Sequence, residues 1–216
     1  MMGAVVDTSD RNAPTRSDRQ RERTRGKLLD AGRTLIAERG VAGLRIQEIT
    51  ERADVALGSF YNYFSTKEEL VEVIVGESLS ALAAATLPSQ WGDADPAEVV
   101  AAAILRVVRL AFDDPDFARL VVNLAHSDDL FLAATHPYAR IALERGIADD
   151  RFDVVDIEVA LTAIIGAAFA LIRELLNGHH TAGAEVAFAQ LALASLGLRP
   201  GEAAAVTKAA ASRLSG

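Results

Sequence analysis

An all-α fold is predicted for this chain of 216 residues, on three observations. Apolar residues recur at helical spacings of three and four along nearly the whole length. No stretch sustains the alternation of branched apolar and polar residues that a half-buried strand requires. Helix starts and stops are marked repeatedly, by Asp-Pro pairs in front and glycines behind.

The elements follow in order. Residues 1–15 show no periodicity and are expected to be a disordered arm. From about residue 18 the stripe Leu28, Leu29, Gly32, Leu35 and Ile36 defines a helix, closed by Arg39 and Gly40. Ile46, Ile49 and Ala53 define a second, and a third is expected over 57–63. The connection between them is only Asp54-Val55-Ala56, so the pair reads as a helix-turn-helix. A fourth helix begins near Lys67, behind the capping-box spacings Ser65/Glu68 and Thr66/Glu69, and extends to Leu87 with Leu70, Val71, Ile74, Val75, Leu79 and Leu82 on one face. Residues 88–94, around Trp91, read as a linker. Asp95-Pro96 with Glu98 then gives a cap, a proline in the first turn and an acidic third position; Asp114-Pro115 repeats the device, and His136-Pro137 is a weaker copy. The expected later helices are 96–112, 115–133, 137–148, 154–176, 183–196 and 201–213, with Gly178 and Gly197 as stops. The total is nine or ten helices without an internal repeat.

Composition narrows the class. Half the residues are hydrophobic, enough for a sizeable core with apolar surface left for a partner or pocket. Without cysteine there is no disulfide framework and no thiolate chemistry. The first 20 residues do not read as a secretory signal. The run from Val159 to Ile172, 14 residues long, is shorter than the ~20 needed to span a bilayer. A cytoplasmic protein without membrane attachment is expected. The net charge of −8 is unevenly placed: residues 1–67 carry 12 Lys/Arg against 9 Asp/Glu, whereas 68–216 carry 10 against 21. Within 11–27, seven basic residues face two acidic ones. A basic head on an acidic body suits a polyanion at one end; a solvated arm is the plainer reading of the same charges.

Four of the 12 aromatic residues crowd into positions 60–64. Helical geometry divides them. Phe60 and Phe64, four apart, share one face and point inward, with Ile46, Ile49, Ala53 and Val55. Tyr61, Asn62 and Tyr63 remain on outer faces. A phenol hydroxyl can bond a phosphate oxygen, its ring can lie against a thymine methyl, and a carboxamide can read adenine in the major groove. Gly58 removes a side chain near the helix start, and the Lys67 ammonium can neutralise a phosphate.

The stretch "RIQEITERADVALGSFYNYFSTKEEL" resembles the signature of TetR-family transcriptional regulators through Glu48, Ile49, Ala53, Val55, Gly58, Ser59, Phe60, Tyr61, Tyr63, Phe64, Lys67, Glu68 and Leu70. The close likeness covers residues 21–70. Arg45 stands where the family often has a capping Thr or Ser, Asp54 replaces the turn glycine, Ala56 replaces a capping Ser and Leu57 a polar residue. The entry to the recognition helix is therefore apolar, with fewer hydrogen bonds to base edges.

The resemblance implies a three-helix DNA-binding domain at 16–66, its helix-turn-helix at 45–64, followed by a larger ligand-binding and dimerisation domain at 67–216. By position, Ala56, Leu57, Gly58, Tyr61, Asn62 and Tyr63 would face the major groove, with Gln47 reaching a base. Arg45, Ser59, Tyr61 and Lys67 would hold phosphates. The implied partners are a palindromic double-stranded DNA operator, a second copy of the chain and a small, apolar effector that releases a repressor from DNA. Candidate pocket residues are Leu105, Phe112, Phe117 and Leu120, then Leu124, Phe131, Ile164 and Phe169; core packing is the alternative for each. Arg119, Asn123 and His126 form a polar stripe that could orient a ligand or simply face solvent. Small residues at helical spacing (Ala160, Ala163, Ala167 and Ala170, then Ala184, Ala187, Leu191 and Ala194) suit a homodimer interface or close packing within one subunit.

No enzyme motif is present: there is no G-x-S-x-G, Walker-type loop or H-E-x-x-H. The histidines at 126, 136, 179 and 180 lack the spacing of a metal site, and no cofactor or metal is expected. The rival reading is a helical protein-interaction module whose DNA-binding head is degenerate.

Overall fold

The computed structural model describes residues 16–86, 94–127 and 129–214. The expected arm at 1–15 and all but the end of the Trp91 linker lie outside the described residues, as do the side chains of His126 and Phe131. Among the described residues there is no strand. The helices are α1 (Arg16–Arg39), α2 (Ile46–Ala53), α3 (Leu57–Phe60), α4 (Lys67–Thr86), α5 (Pro96–Asp113), α6 (Pro115–Ser127), α7 (Asp129–Ala148), α8 (Ile157–Leu176), α9 (Ala184–Ser195) and α10 (Pro200–Leu214). A single 3-10 turn, Val41–Gly43, joins α1 to α2.

Two expectations are corrected. The recognition helix, expected over 57–63, is α-helical only to Phe60. Its end tightens into i to i+3 bonds, Asn62 N–H to the Ser59 carbonyl and Tyr63 N–H to that of Phe60. Ala56 supplies no side-chain cap and Gly58 weakens the first turn, so nothing holds a longer helix. No break falls at His136-Pro137: α7 runs from Asp129 to Ala148, and Pro137 lies inside it. An interior proline loses one backbone bond and costs about 3 kcal/mol; packing of α7 against α4, α5, α6 and α8 offsets it.

The body is built around α5, which touches α4, α6, α7, α8, α9 and α10. Ala97, Ala101 and Ala102 are buried beside Ile104, Leu105 and Val108, so small residues let neighbouring axes approach from several sides. The α7–α8 loop is fastened by Arg151. Its guanidinium bonds Asp95, the cap of α5, at 2.9 and 3.0 Å and pairs with Glu202 of α10. Burial pushes the Asp95 carboxyl upward, but the Arg151 hydrogen bonds and the Ala97 N–H outweigh it and hold the group below its ordinary value. Phe152 lies over Gly146, where a Cβ would come within 2.0 Å of the ring. Gly146→Ala is therefore expected to displace Phe152 and cost about 1–3 kcal/mol, read as a lower Tm.

Head and body meet where α1 packs on α4 and α6. A Cβ on Gly32 would fall 2.8 Å from the Leu70 and Ile74 side chains, so α1 and α4 cross closely there. Arg33 of α1 pairs with Glu77 of α4. The Asn123 amide of α6 donates to the carbonyls of Ile36 and Ala37 at 3.0 and 2.9 Å, capping the end of α1. Asn123 thus faces the head, while Arg119 of the same expected stripe pairs with Asp116.

Candidate nucleic-acid interface and body cavity

The head divides its aromatic cluster. Phe60 and Phe64 are buried with Ile49, Ala53 and Leu44, and their rings lie 5.7 Å apart. The Arg25 guanidinium covers Phe64 at 5.6 Å. Tyr61, edge-on to Phe60, keeps 58% of its surface exposed, and Leu57 keeps 53%. Asn62, Gly58 and Ala56 are exposed; Ser59 and Tyr63 are half-buried, Tyr63 packing on the edge of the core. Nothing lies within 4 Å of the space a Gly58 Cβ would take, so internal packing does not demand the glycine. Between the two helices Asp54 adopts the left-handed conformation, with φ 55° and ψ 54°. Its N–H bonds the Glu51 carbonyl and that of Val55 returns to Thr50, closing the turn without glycine.

The cations around α2 and α3 fall into two sets. Arg39 pairs with Glu48 and Arg52 with Glu38, bolting α1 to α2. The side chains of Arg45 and Lys67 join no ion pair among the described residues, Arg45 exposed and Lys67 half-buried. Gln47 is exposed but directed along its helix, donating to Glu51 at 2.8 Å. The first turns of α1 supply residues that sequence reasoning did not assign. Arg16, Ser17, Gln20 and Arg21 line one groove with Asn62 and Tyr63, and the Arg21 guanidinium reaches the Asn62 carbonyl at 3.5 Å. The seven basic residues within 11–27 were the available signal, but which of them stand beside Asn62 depends on how α1 lies against the segment that follows α3.

In the body, a cavity of about 140 Å³ lies between α4, α5, α7 and α8. Of the seven expected pocket residues whose side chains are described, Ile164 and Phe169 line it. Leu105 and Leu124 are buried elsewhere in the core, and Phe112 is 43% exposed at the end of α5. Phe117 and Leu120 line a charged groove between α1 and α6 instead, with Arg33, Glu38, Asp116 and Arg119. Leu82, Ala103, Ile104, Leu143 and Leu161 line the cavity without having been foreseen. Alanines and leucines occur throughout the chain, so no residue type singled these out.

The expected interface residues are all at least partly accessible. On α8, Ala163 and Ala167 are exposed and Ala160 and Ala170 half-buried; on α9, Ala187, Leu191 and Ala194 are exposed and Ala184 half-buried. α8 is 20 residues long with a mean hydropathy of 2.0, so it meets the length and composition of a membrane span, although the apolar run read from sequence was shorter. Only 28% of the 18-residue stretch that has this hydropathy is buried. At its far end the His179 ring nitrogen lies 2.6 Å from Glu174, and this contact holds the Glu174 carboxyl below its ordinary value.

Head and body together define a helix-turn-helix protein that carries a separate helical domain with an apolar cavity. Residues 28–74 match the profile of bacterial regulatory proteins of the tetR family, and residues 95–209 match that of tetracyclin repressor-like C-terminal domains. The chain belongs to the TetR family of transcriptional regulators. It is similar to RolR, solved in complex with resorcinol: 30% identity, covering 88% of this chain and 95% of that one, with a TM-score of 0.65. It also resembles the repressor KstR of Mycobacterium tuberculosis, 35% identical over 80 residues, which is 37% of this chain and 36% of that protein. The repressor DhaR of Mycobacterium sp. is 40% identical over 58 residues, 27% of this chain and 29% of that one. The chain thus spans about a third of the length of the curated relatives it matches.

Proposed function

We propose that this protein is a transcriptional repressor that binds a palindromic operator as a homodimer and leaves it when a small apolar molecule occupies the body cavity. The observation that carries the reading is the divided aromatic cluster: Phe60 and Phe64 wedge the head together while Tyr61 and Leu57 stand in solvent on the face that holds Gly58 and Asn62. Tyr61, Asn62, Leu57, Gly58 and Ala56 meet the major groove, Tyr63 at its margin. Arg45, Ser59 and Lys67 hold phosphates together with Arg16 and Arg21, and Gln47 reaches a base only by releasing Glu51.

The dimer brings two such faces to successive major grooves on one side of the duplex. The exposed alanines and Leu191 on α8 and α9 form its interface, which also accounts for so apolar a helix being so little buried. Gly166 supports this, because nothing lies within 4 Å of the space its Cβ would fill. The helix α4 connects the sites: Leu82 lines the cavity and Leu70 and Ile74 lie against Gly32 of α1. A ligand that fits the cavity better when the heads are turned away shifts the population off DNA by its differential affinity. RolR, with bound resorcinol, supports a compact effector. A soluble cytoplasmic protein follows from the same reading.

The test is titration of the pure protein with a duplex carrying the palindrome next to its own gene. Four phosphate-facing cations per protomer predict that log K falls against log salt with a slope of about −7, taking about −0.9 per contact. A slope near zero, or no binding, favours the interaction module with a non-binding head.

A further inference from the structure

We infer that the body cavity is built for a compact hydrocarbon without hydroxyl, amine or carboxyl groups, of about the size of toluene. The inference rests on the proposal that this cavity is the effector site, and it separates this chain from its resorcinol-binding relative.

The walls argue for it. Every described lining residue is apolar, among them Leu82, Ile104, Leu143, Leu161, Ile164 and Phe169. All of them lie within α4, α5, α7 and α8, and the described side chains of the wall offer a ligand only C–H groups. The space exists because alanines stand where larger side chains would close it: Ala103 on α5, Ala139 and Ala142 on α7, and Ala168 on α8. It is open to solvent on one side, and its volume, about 140 Å³, is close to that of an apolar cavity of ~150 Å³ that takes up benzene or xenon in another protein. A hydroxyl seated against these side chains loses its bonds to water and gains none, which weakens binding by roughly ten- to a hundredfold per group. Resorcinol carries two; toluene carries none.

The experiment uses the full-length protein with toluene, phenol and resorcinol as probes, binding being measured by calorimetry and by the shift in Tm. Toluene is expected to bind, phenol more weakly by at least about tenfold, and resorcinol more weakly again. Ala103→Leu fills the space and is expected to abolish toluene binding. Should that variant prove unstable, Ala168→Val, which adds less volume, must weaken toluene at least about threefold. Resorcinol binding as tightly as toluene, no toluene binding at all, or toluene binding untouched by both substitutions overturns the inference. The operator assay separates its failure from that of the reading beneath it. Release of DNA by resorcinol and not by toluene overturns the hydrocarbon assignment and leaves the repressor standing. Toluene bound in the cavity with operator affinity unchanged supports the assignment and removes the cavity from control of the heads.

Discussion

Phe60→Ala is expected to unfold the DNA-binding head while the body stays folded. The ring is fully buried between α2 and the turn that follows α3, in contact distance of Phe64. Removing a buried phenylalanine costs about 3–5 kcal/mol from lost transfer energy and the cavity left behind. The α2–α3 unit is small and lacks side-chain caps at Arg45 and Ala56, so it has little reserve against such a loss. Hydrogen exchange should show α2 and α3 unprotected while α5, α8 and α10 keep their protection. The neighbouring substitution Tyr61→Ala should do the opposite. Its side chain is 58% exposed, so stability should change by no more than about 0.5 kcal/mol. Operator affinity should fall on the order of a hundredfold, from about 1–1.5 kcal/mol per protomer in a dimer. Loss of stability with Tyr61→Ala equal to that with Phe60→Ala would remove the division of labour on which the interface rests.

Ala167→Arg is expected to separate the proposed dimer. Ala167 is exposed on α8 beside Gly166 and Ala163, so an arginine there is accommodated in the single chain without disturbing its core. Across a two-fold axis the same residue meets the same surface of its partner, and two guanidiniums are brought into a dry interface without a counter-charge. Sedimentation should show dimers of the parent chain and, at the same concentrations, monomers of the variant. Operator affinity should drop by more than about a hundredfold, because each head then binds its half-site alone. Unchanged sedimentation would place the interface elsewhere.

These two substitutions also mark how far the sequence could be read. The helix-turn-helix was legible because local chemistry specifies it: a three-residue connection, rings spaced four apart, and an aspartate able to adopt the left-handed turn conformation. Boundaries within it were less so. The third helix looked seven residues long but stops at four, since periodicity cannot register a missing cap in competition with a tightening turn. Pro137 misled for the opposite reason. A local rule forbids it inside a helix, but contacts from four neighbouring helices override the rule. The cavity was the least legible feature. Of the phenylalanines expected as lining, Phe169 does face the space, but Phe112 is partly exposed at the end of α5 and Phe117 turns to a groove beside α1, while alanines make the space.

What the sequence determined by itself was the class of fold, the family and the split of the aromatic cluster. All three depend on residues close together in the chain, where spacing alone fixes which side chains share a face. Only the tertiary structure decided that Arg16 and Arg21 stand beside Asn62, that Asn123 caps α1, and that four helices leave a space at Ala103 and Ala168. Such features arise where helices distant in sequence cross, and the crossing angle depends on the summed packing of many side chains.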